Sequence, residues 1–125
     1  MNLTFDQKLA LAQSPTVTVE QLTKLANDKY YVVRYWVARH PNCPITILEK
    51  LSNDEDSNVR YFVAKHPNCP ILILEKLAND ECWNVRSYVA RHPNCPQYLK
   101  EYFRVKNFMT NYKLAHYLPI SLHLC

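Results

Sequence analysis

The sequence predicts an all-α fold made of short helix pairs that stack side by side. The segment His-Pro-Asn-Cys-Pro begins at His40, His66 and His92, so it recurs every 26 residues. A fixed period of a few tens of residues is typical of stacked repeats. Between these segments, apolar residues follow the three-to-four-residue spacing of helices. Such units bury their apolar faces only against their neighbours.

Other positions keep the same register. Val-Arg pairs begin at positions 33, 59 and 85, and Val-Ala pairs at 37, 63 and 89. Upstream, Leu11-Ala12 and Ser14-Pro15 stand where Val-Ala and His-Pro are expected. We therefore predict one domain over residues 1–125 with about three and a half repeats. Its parts are a half-repeat or cap in 1–17, repeats in 18–43, 44–69 and 70–95, and a partial repeat, capping helix and tail in 96–125.

The middle unit, residues 44–69, shows how two helices arise. Pro44 suits the first position of a helix, and apolar residues at 45, 47, 48 and 51 predict a helix from Pro44 to Ser52. A turn follows, in which Asp56 or the next residue caps the second helix. That helix has 59, 62, 63 and 66 on one face and ends before Pro67, because the residue before a proline disfavours helical geometry.

The C-terminal region is expected to cover the last unit. Val105, Phe108, Met109 and Tyr112 share one helical face, which predicts a capping helix that ends before Pro119. The apolar segment from Ile120 to Cys125 is expected to pack on this cap or to meet another chain.

The composition excludes several classes of function. The chain has no glycine, whereas phosphate loops, dinucleotide-binding turns and nucleophile elbows depend on it. No apolar run approaches the ~20 residues that span a bilayer, and the N-terminus lacks the pattern of a signal peptide. We therefore expect a cytoplasmic protein without membrane contact.

Cysteine spacing and charge add two expectations. Cys43, Cys69 and Cys95 are equivalent, and helices stacked about 8 to 10 Å apart exceed the ~7 Å limit for a disulfide, so reduced thiols are expected. The net charge of +4 divides unevenly. Residues 1–103 have 12 basic and 11 acidic side chains, whereas 104–125 have three basic and no acidic ones.

The unit resembles a known family. Pro-x-x-Pro, Ile-x-x-Leu, Leu-Ala-x-Asp and Val-Arg-x-x-Val-Ala-x-x-Pro are similar to the leucine-rich repeat variant family, bacterial relatives in shape of HEAT and armadillo proteins, over about 11–103. The resemblance implies a right-handed superhelical solenoid in which α-helices alternate with shorter, often 3₁₀, helices. The chain departs from that pattern with His40, His66 and His92 before the first proline and cysteine before the second. The closely spaced cysteines of the family's iron–sulfur members are missing, so we expect no cofactor.

Two groups that suggest chemistry are better explained by structure. Each unit offers one His and one Cys, fewer than the three or four ligands that zinc needs, so no metal site is predicted. The histidines are expected at helix ends, where partial negative charge favours them. Of the acidic residues 54–56 only the first recurs, which indicates a turn rather than a catalytic cluster. No catalytic residues are predicted, and an enzyme is the least favoured class.

The recurring aspartates and arginines predict a structural ladder. The Asp of each turn pairs with an Arg of the long helix, within or between units. Its members are Asp28, Arg34, Asp54, Arg60, Asp80 and Arg86.

A second set of positions suggests a binding surface. Val33 and Val37 mark the core side of the long helix. Residues 31, 35 and 39, which are spaced four apart, then form a separate stripe on the same helix. Tyr, Trp and Arg dominate binding hot spots. The alternative is that the rings pack on the neighbouring unit and the cations are solvated. The predicted partner-binding residues are Tyr31, Tyr35, Arg39, Tyr61, Lys65, Trp83 and Arg91. The adjacent Trp36, Phe62 and Tyr88 are predicted to lie in the core.

These features favour a non-enzymatic interaction scaffold or adaptor, or an inhibitor or regulator. The expected partner is another protein with an acidic or amphipathic segment. The alternative is nucleic-acid binding through Arg39, Lys65, Arg91 and the basic tail, with rings stacked on bases. The nearly neutral repeats disfavour that alternative.

Overall fold

The computed structural model describes the backbone of residues 2–116 and the side chains of residues 2–107. Within that range the chain forms eight α-helices and no strand, which confirms the all-α prediction. In chain order they are α1 (Phe5–Gln13), α2 (Val19–Leu25), α3 (Tyr31–Arg39), α4 (Ile45–Leu51), α5 (Ser57–Lys65), α6 (Ile71–Leu77), α7 (Trp83–Arg91) and α8 (Gln97–His116). None of these helices has the length and apolarity needed to cross a membrane.

Long and short helices alternate in the middle of the chain. The long helices α3, α5 and α7 have nine residues each, and the short helices α2, α4 and α6 have seven. The expectation of 3₁₀ geometry in the short helices is wrong. In α4 a 3₁₀-type bond occurs in the first turn, where Ile47 N–H donates to Pro44 O at 3.0 Å beside the α-type bond of Leu48 at 3.1 Å. Because Ile47, Leu48 and Leu51 all enter the core, the short helix keeps the α spacing that places them on one face.

Prolines set both ends of the helices. Pro44 is an N-cap with φ −72° and ψ 157°, so α4 begins one residue later than predicted. Its carbonyl accepts the first helical bonds, and its missing N–H leaves no donor unpaired. The long helix α3 ends at His40, a C-cap with φ −66° and ψ 128°, because Pro41 follows. This geometry confirms the predicted role of proline at the ends of the long helices.

In the C-terminal region, one helix, α8, covers residues 97–116, which lie in the segment predicted as a partial repeat, capping helix and tail. In the preceding unit, Asn79 and Asp80 follow the short helix and form the turn that ends it. Val105 and Lys106 stand at the equivalent positions, so α8 continues through them. The predicted capping side chains of Phe108, Met109 and Tyr112, and the segment 120–125, lie outside the side chains and residues described.

The helices form two layers around one core. The helix α3 packs against α1 and α5, and α5 packs against α7, while each short helix packs on the long helices that flank it in sequence. Two valines of each of α3, α5 and α7 and two leucines of each of α2, α4 and α6 are almost completely buried between the layers: Val33, Val37, Val59, Val63, Val85, Val89, Leu22, Leu25, Leu48, Leu51, Leu74 and Leu77. Full burial of such a side chain stabilises the folded state by about 1.5 to 3 kcal/mol relative to exposure.

The ladder residues connect successive units. Nε and Nη2 of Arg34 donate to the two carboxylate oxygens of Asp54 at 2.7 and 3.1 Å, while Nη1 donates to the carbonyl oxygen of Asp28 at 2.7 Å. Arg60 binds Asp80 in the same way at 2.7 and 3.2 Å and the carbonyl of Asp54 at 2.7 Å. Each arginine therefore pairs with the Asp of the following unit and the backbone of its own. The hydrogen bond to the carboxylate raises the pKa of Arg34 and Arg60 above the ordinary value.

The two ends of the ladder differ. At the N-terminal end Nζ of Lys8 lies 2.6 Å from Asp28, so a lysine replaces the arginine. Burial raises the pKa of Asp28, but the hydrogen bonds from Lys8 and from Tyr30 N–H lower it more, and the net shift is downward. At the other end, Arg86 donates to the carbonyl oxygen of Asp80 at 2.6 Å and has no carboxylate partner in the described part of the chain.

The histidines provide a second connection between units. In His66, Nδ1 accepts the backbone N–H of Asn68 at 3.1 Å, and Nε2 lies 2.8 Å from the carbonyl oxygen of His40. An N–H only donates and a carbonyl only accepts, so the ring is neutral with its proton on Nε2. His40 and His92 make equivalent contacts. Hydrogen bonding by a neutral ring, rather than attraction of a charged ring to the helix end, therefore explains these residues.

Arg60 and Arg86 allow a matched test of the ladder. Arg60→Ala leaves the carboxylate of Asp80, which is only 7% exposed, without its cation. We expect the free energy of unfolding to fall by roughly 1 to 3 kcal/mol. Arg86→Ala removes the same side chain and the equivalent carbonyl bond but no carboxylate pair, so its loss should be smaller. Lys65→Ala, on the exposed surface, should cost less than about 0.5 kcal/mol.

Urea denaturation measures these differences in unfolding free energy, provided that the slope of free energy against urea concentration is the same for every variant. Equal losses for Arg60→Ala and Arg86→Ala would show that the carboxylate pair contributes nothing to stability.

Candidate functional site

The candidate site is a row of aromatic rings that crosses α3, α5 and α7. Trp36, Tyr35, Phe62, Tyr61 and Tyr88, named here the aromatic row, follow one another with ring centroids 5.3, 4.5, 5.0 and 5.3 Å apart. The interplanar angles lie between 70° and 86°, which is the edge-to-face geometry that stabilises aromatic pairs. All five side chains are half-buried and pack against the edge of the core.

Two cations lie over these rings. The guanidinium of Arg39 is 4.6 Å from the ring centroid of Trp36 and 5.0 Å from that of Phe62, and its Nη1 donates to the hydroxyl of Tyr35 at 3.0 Å. Nζ of Lys65 lies 5.6 Å from the Phe62 ring and 5.5 Å from the Tyr88 ring. Both cations are exposed. The surface therefore combines aromatic faces with positive charge held in place by cation–π contacts.

The predicted partner-binding residues separate into two groups. Tyr35, Arg39, Tyr61 and Lys65 meet in the aromatic row and its cations. The other three lie apart, with Tyr31 and Trp83 exposed at the first positions of α3 and α7 and Arg91 at the last position of α7. Trp83 and Arg91 border a groove between α7 and α8, which is a different surface.

Trp36, Phe62 and Tyr88, which were predicted to lie in the core, pack against its edge and are not fully enclosed. They are half-buried and alternate with the tyrosines along the aromatic row. Consecutive residues of a helix point about 100° apart around the helix axis. Positions 36, 62 and 88 each follow a stripe position and therefore lie between the stripe and the core face. An aromatic residue at this position in all three units was the signal in the sequence that indicated a wider surface.

A shallow hollow lies beside the row, between α3 and α5. It has a volume of about 170 Å³ and is lined by Arg39, Phe62 and Lys65 together with the end of α5 at His66 and Pro67. None of its lining side chains is acidic. An apolar group with a carboxylate beside it fits this combination of a ring and two cations.

A second exposed surface was not predicted. Ile45 and Ile71, the first residues of α4 and α6, are 54% and 45% exposed, and Leu72 is 79% exposed. In the sequence, this surface could have been recognised from the isoleucine that follows Pro44 and Pro70. These three apolar residues carry no charge that would indicate a binding partner.

The remaining groups with possible reactivity are metal-ligating side chains and the buried thiols of Cys43, Cys69 and Cys95. Among residues 2–107, no group of three His, Cys, Asp or Glu side chains is arranged to hold one metal ion. Burial raises the pKa of Cys43 and Cys69 to about 12 and also raises that of Cys95. A thiol with such a pKa is mostly protonated at neutral pH, whereas nucleophilic cysteines have lowered values.

Comparisons with protein-family models, with curated proteins and with solved structures found no match to this chain.

The buried thiols give a test of this chemistry. At about pH 8 a pKa near 12 leaves roughly one Cys43 or Cys69 side chain in ten thousand as thiolate. We expect iodoacetamide to leave both residues unmodified in the native protein and to modify both in denaturant, as measured by mass spectrometry of peptides. Similar alkylation rates in the two conditions would contradict their burial.

Proposed function

We propose that this chain is a right-handed solenoid of the leucine-rich repeat variant type that binds another protein through its aromatic row, as a non-enzymatic scaffold, adaptor or regulator. The observation that supports binding is the unbroken line of five edge-to-face rings with Arg39 and Lys65 above it. The support for a solenoid is the recurrence of helix bounds and inter-unit hydrogen bonds every 26 residues.

The residue types of the row suit protein recognition. Tyr and Trp supply rigid apolar area with a polar edge, and arginine adds a planar cation. Contacts within the row hold these side chains before a partner arrives, so little side-chain entropy remains to be lost on binding. The row therefore favours a partner segment whose apolar side chains cover the rings and whose carboxylates face Arg39 and Lys65.

The arrangement of the helices supports an inner binding face. The long helices pack directly against one another, whereas the short helices pack chiefly on the long ones in the described residues. A stack with its closer contacts on the long-helix side curves toward that side. The aromatic row is half-buried at the edge of the core and runs across the three long helices, so it lies on the concave surface in this proposal.

A double substitution tests the row. Tyr35→Ala with Tyr61→Ala breaks the line of rings at two points, and we expect the protein to lose its captured partner in pull-downs from nuclease-treated cell extract. The matched control is Tyr98→Ala with Tyr102→Ala, which removes two exposed tyrosines from α8 and should leave capture unchanged. Circular dichroism checks that both variants fold.

Labelled DNA in a salt series tests the alternative. Counterion release would make affinity for DNA fall steeply with salt, by a slope of about one unit for each phosphate contact. We expect weak binding without sequence preference at physiological salt. Tight DNA binding with a steep slope, together with undiminished protein capture by the Tyr35/Tyr61 variant, would reverse the order of the two functions.

A further inference from the structure

Arg86 has the same position in its unit as Arg34 and Arg60. Its Nη1 donates to the carbonyl oxygen of Asp80 at 2.6 Å, and the equivalent bonds of the other two arginines are 2.7 Å long. In Arg34 and Arg60 the remaining edge of the guanidinium, Nε and Nη2, binds a carboxylate of the following unit. Arg86 has the same anchor, but no carboxylate of the described residues pairs with that edge.

The sequence does not supply the missing carboxylate. The position equivalent to Asp54 and Asp80 in the next unit is Lys106. No Asp or Glu occurs anywhere from residue 104 to residue 125. The segment 104–125 therefore has no Asp or Glu side chain that could pair with Arg86 as Asp54 pairs with Arg34 and Asp80 with Arg60.

Arg86 lines a groove between α7 and α8 with a volume of about 490 Å³. Arg86, Arg91 and Lys106 contribute three cations to its lining, and none of the described lining residues is acidic. Trp83, which is 60% exposed, and Phe103 contribute aromatic surface. Positive charge next to exposed aromatic area is complementary to a carboxylate flanked by an apolar side chain.

We propose that this groove binds an Asp or Glu side chain of a partner peptide. Nε and Nη2 of Arg86 hold the two carboxylate oxygens as Arg34 and Arg60 hold Asp54 and Asp80, in the bidentate geometry that makes arginine–carboxylate pairs strong. An apolar neighbour in the peptide packs on Trp83. This site is separate from the aromatic row and does not depend on the function proposed for the row.

A second copy of the chain does not fit this role through its own ladder. At the N-terminal end, Asp28 is already paired with Lys8. The preceding position in the 26-residue register is Asn2, which has no carboxylate. Copies stacked end to end would therefore present no free ladder aspartate to Arg86.

The test uses a fluorescently labelled peptide in which Asp and Leu alternate, together with matched peptides that have Asn or phosphoserine in place of Asp. Anisotropy at physiological salt measures their affinities. We expect the Asp peptide to bind and the Asn peptide to bind at least about tenfold more weakly, because the charge-assisted pair is lost. The phosphoserine peptide should not bind more tightly than the Asp peptide.

Variants locate the binding. Arg86→Gln keeps a donor for the Asp80 carbonyl and should weaken binding of the Asp peptide by at least about tenfold. Arg86→Lys keeps the charge without the planar fork and should also weaken it. The control is Arg104→Gln, which removes an exposed cation of α8 outside the groove lining and should change affinity by less than about twofold. In the unmodified protein, the Nε–H resonance of Arg86 should shift when the Asp peptide is added.

Several results would overturn the assignment. They are no binding of the Asp peptide, equal weakening by Arg86→Gln and Arg104→Gln, tighter binding of the phosphoserine peptide, or an unmoved Arg86 resonance. The tenfold loss caused by Arg86→Gln should be the same whether or not Tyr35→Ala and Tyr61→Ala are also present, so the groove and the aromatic row succeed or fail separately.

Discussion

The bidentate pair between an arginine of one unit and the aspartate of the next is the interaction on which the stack depends. Asp54 shows why, because it takes part in three connections at once. Its carboxylate binds Arg34, its Oδ1 also accepts the N–H of Asp56 in its own turn at 2.9 Å, and its carbonyl accepts from Arg60. One residue thus shapes the turn before α5 and joins its own unit to the preceding one. Inserting a residue within α4 would rotate the helical residues that follow it by about 100° and displace Asp54 from Arg34.

The histidines impose a matching constraint at the other end of the long helices. Each histidine follows a long helix, and its Nε2 binds the backbone carbonyl at the equivalent position of the preceding unit. All three rings are almost fully buried. Burying a polar ring is costly unless both nitrogens find partners. In the described residues no buried side-chain nitrogen or oxygen lacks a partner. The two ladders therefore hold both ends of each long helix, and the sides of α3, α5 and α7 remain available for other contacts.

The sequence was sufficient for the all-α fold and for the position of most helices, because proline, the Asn-Asp turn and the apolar spacing act locally. It left open whether each aspartate pairs within or between units. That choice depends on how α3 and α5 lie beside each other, which spacing along one helix does not determine. The apolar face of residues 105–112 did not predict a continuous α8, because its length depends on the loss of the Asn-Asp turn at Val105 and Lys106. The width of the aromatic surface was missed for a related reason, since Trp36 and Phe62 lie between the two faces into which the helix was divided.

Differences between equivalent positions separate the ladder residues from the variable surface residues within this one chain. The residues of the two ladders are the same in all three units: His, Asn-Asp and Val-Arg. The residues of the surface vary, with Tyr35, Tyr61 and Ser87 at one position and Tyr31, Ser57 and Trp83 at another. A position that must hold the stack together tolerates little change, because its partner in the next unit must change with it. The variable positions face solvent or neighbouring rings and take no part in the ion-pair ladder, so a change at one of them requires no matching change of charge in the next unit. Arg86 combines both situations, since it keeps the identity and the backbone anchor of a ladder residue while the next unit offers it Lys106 in place of an aspartate.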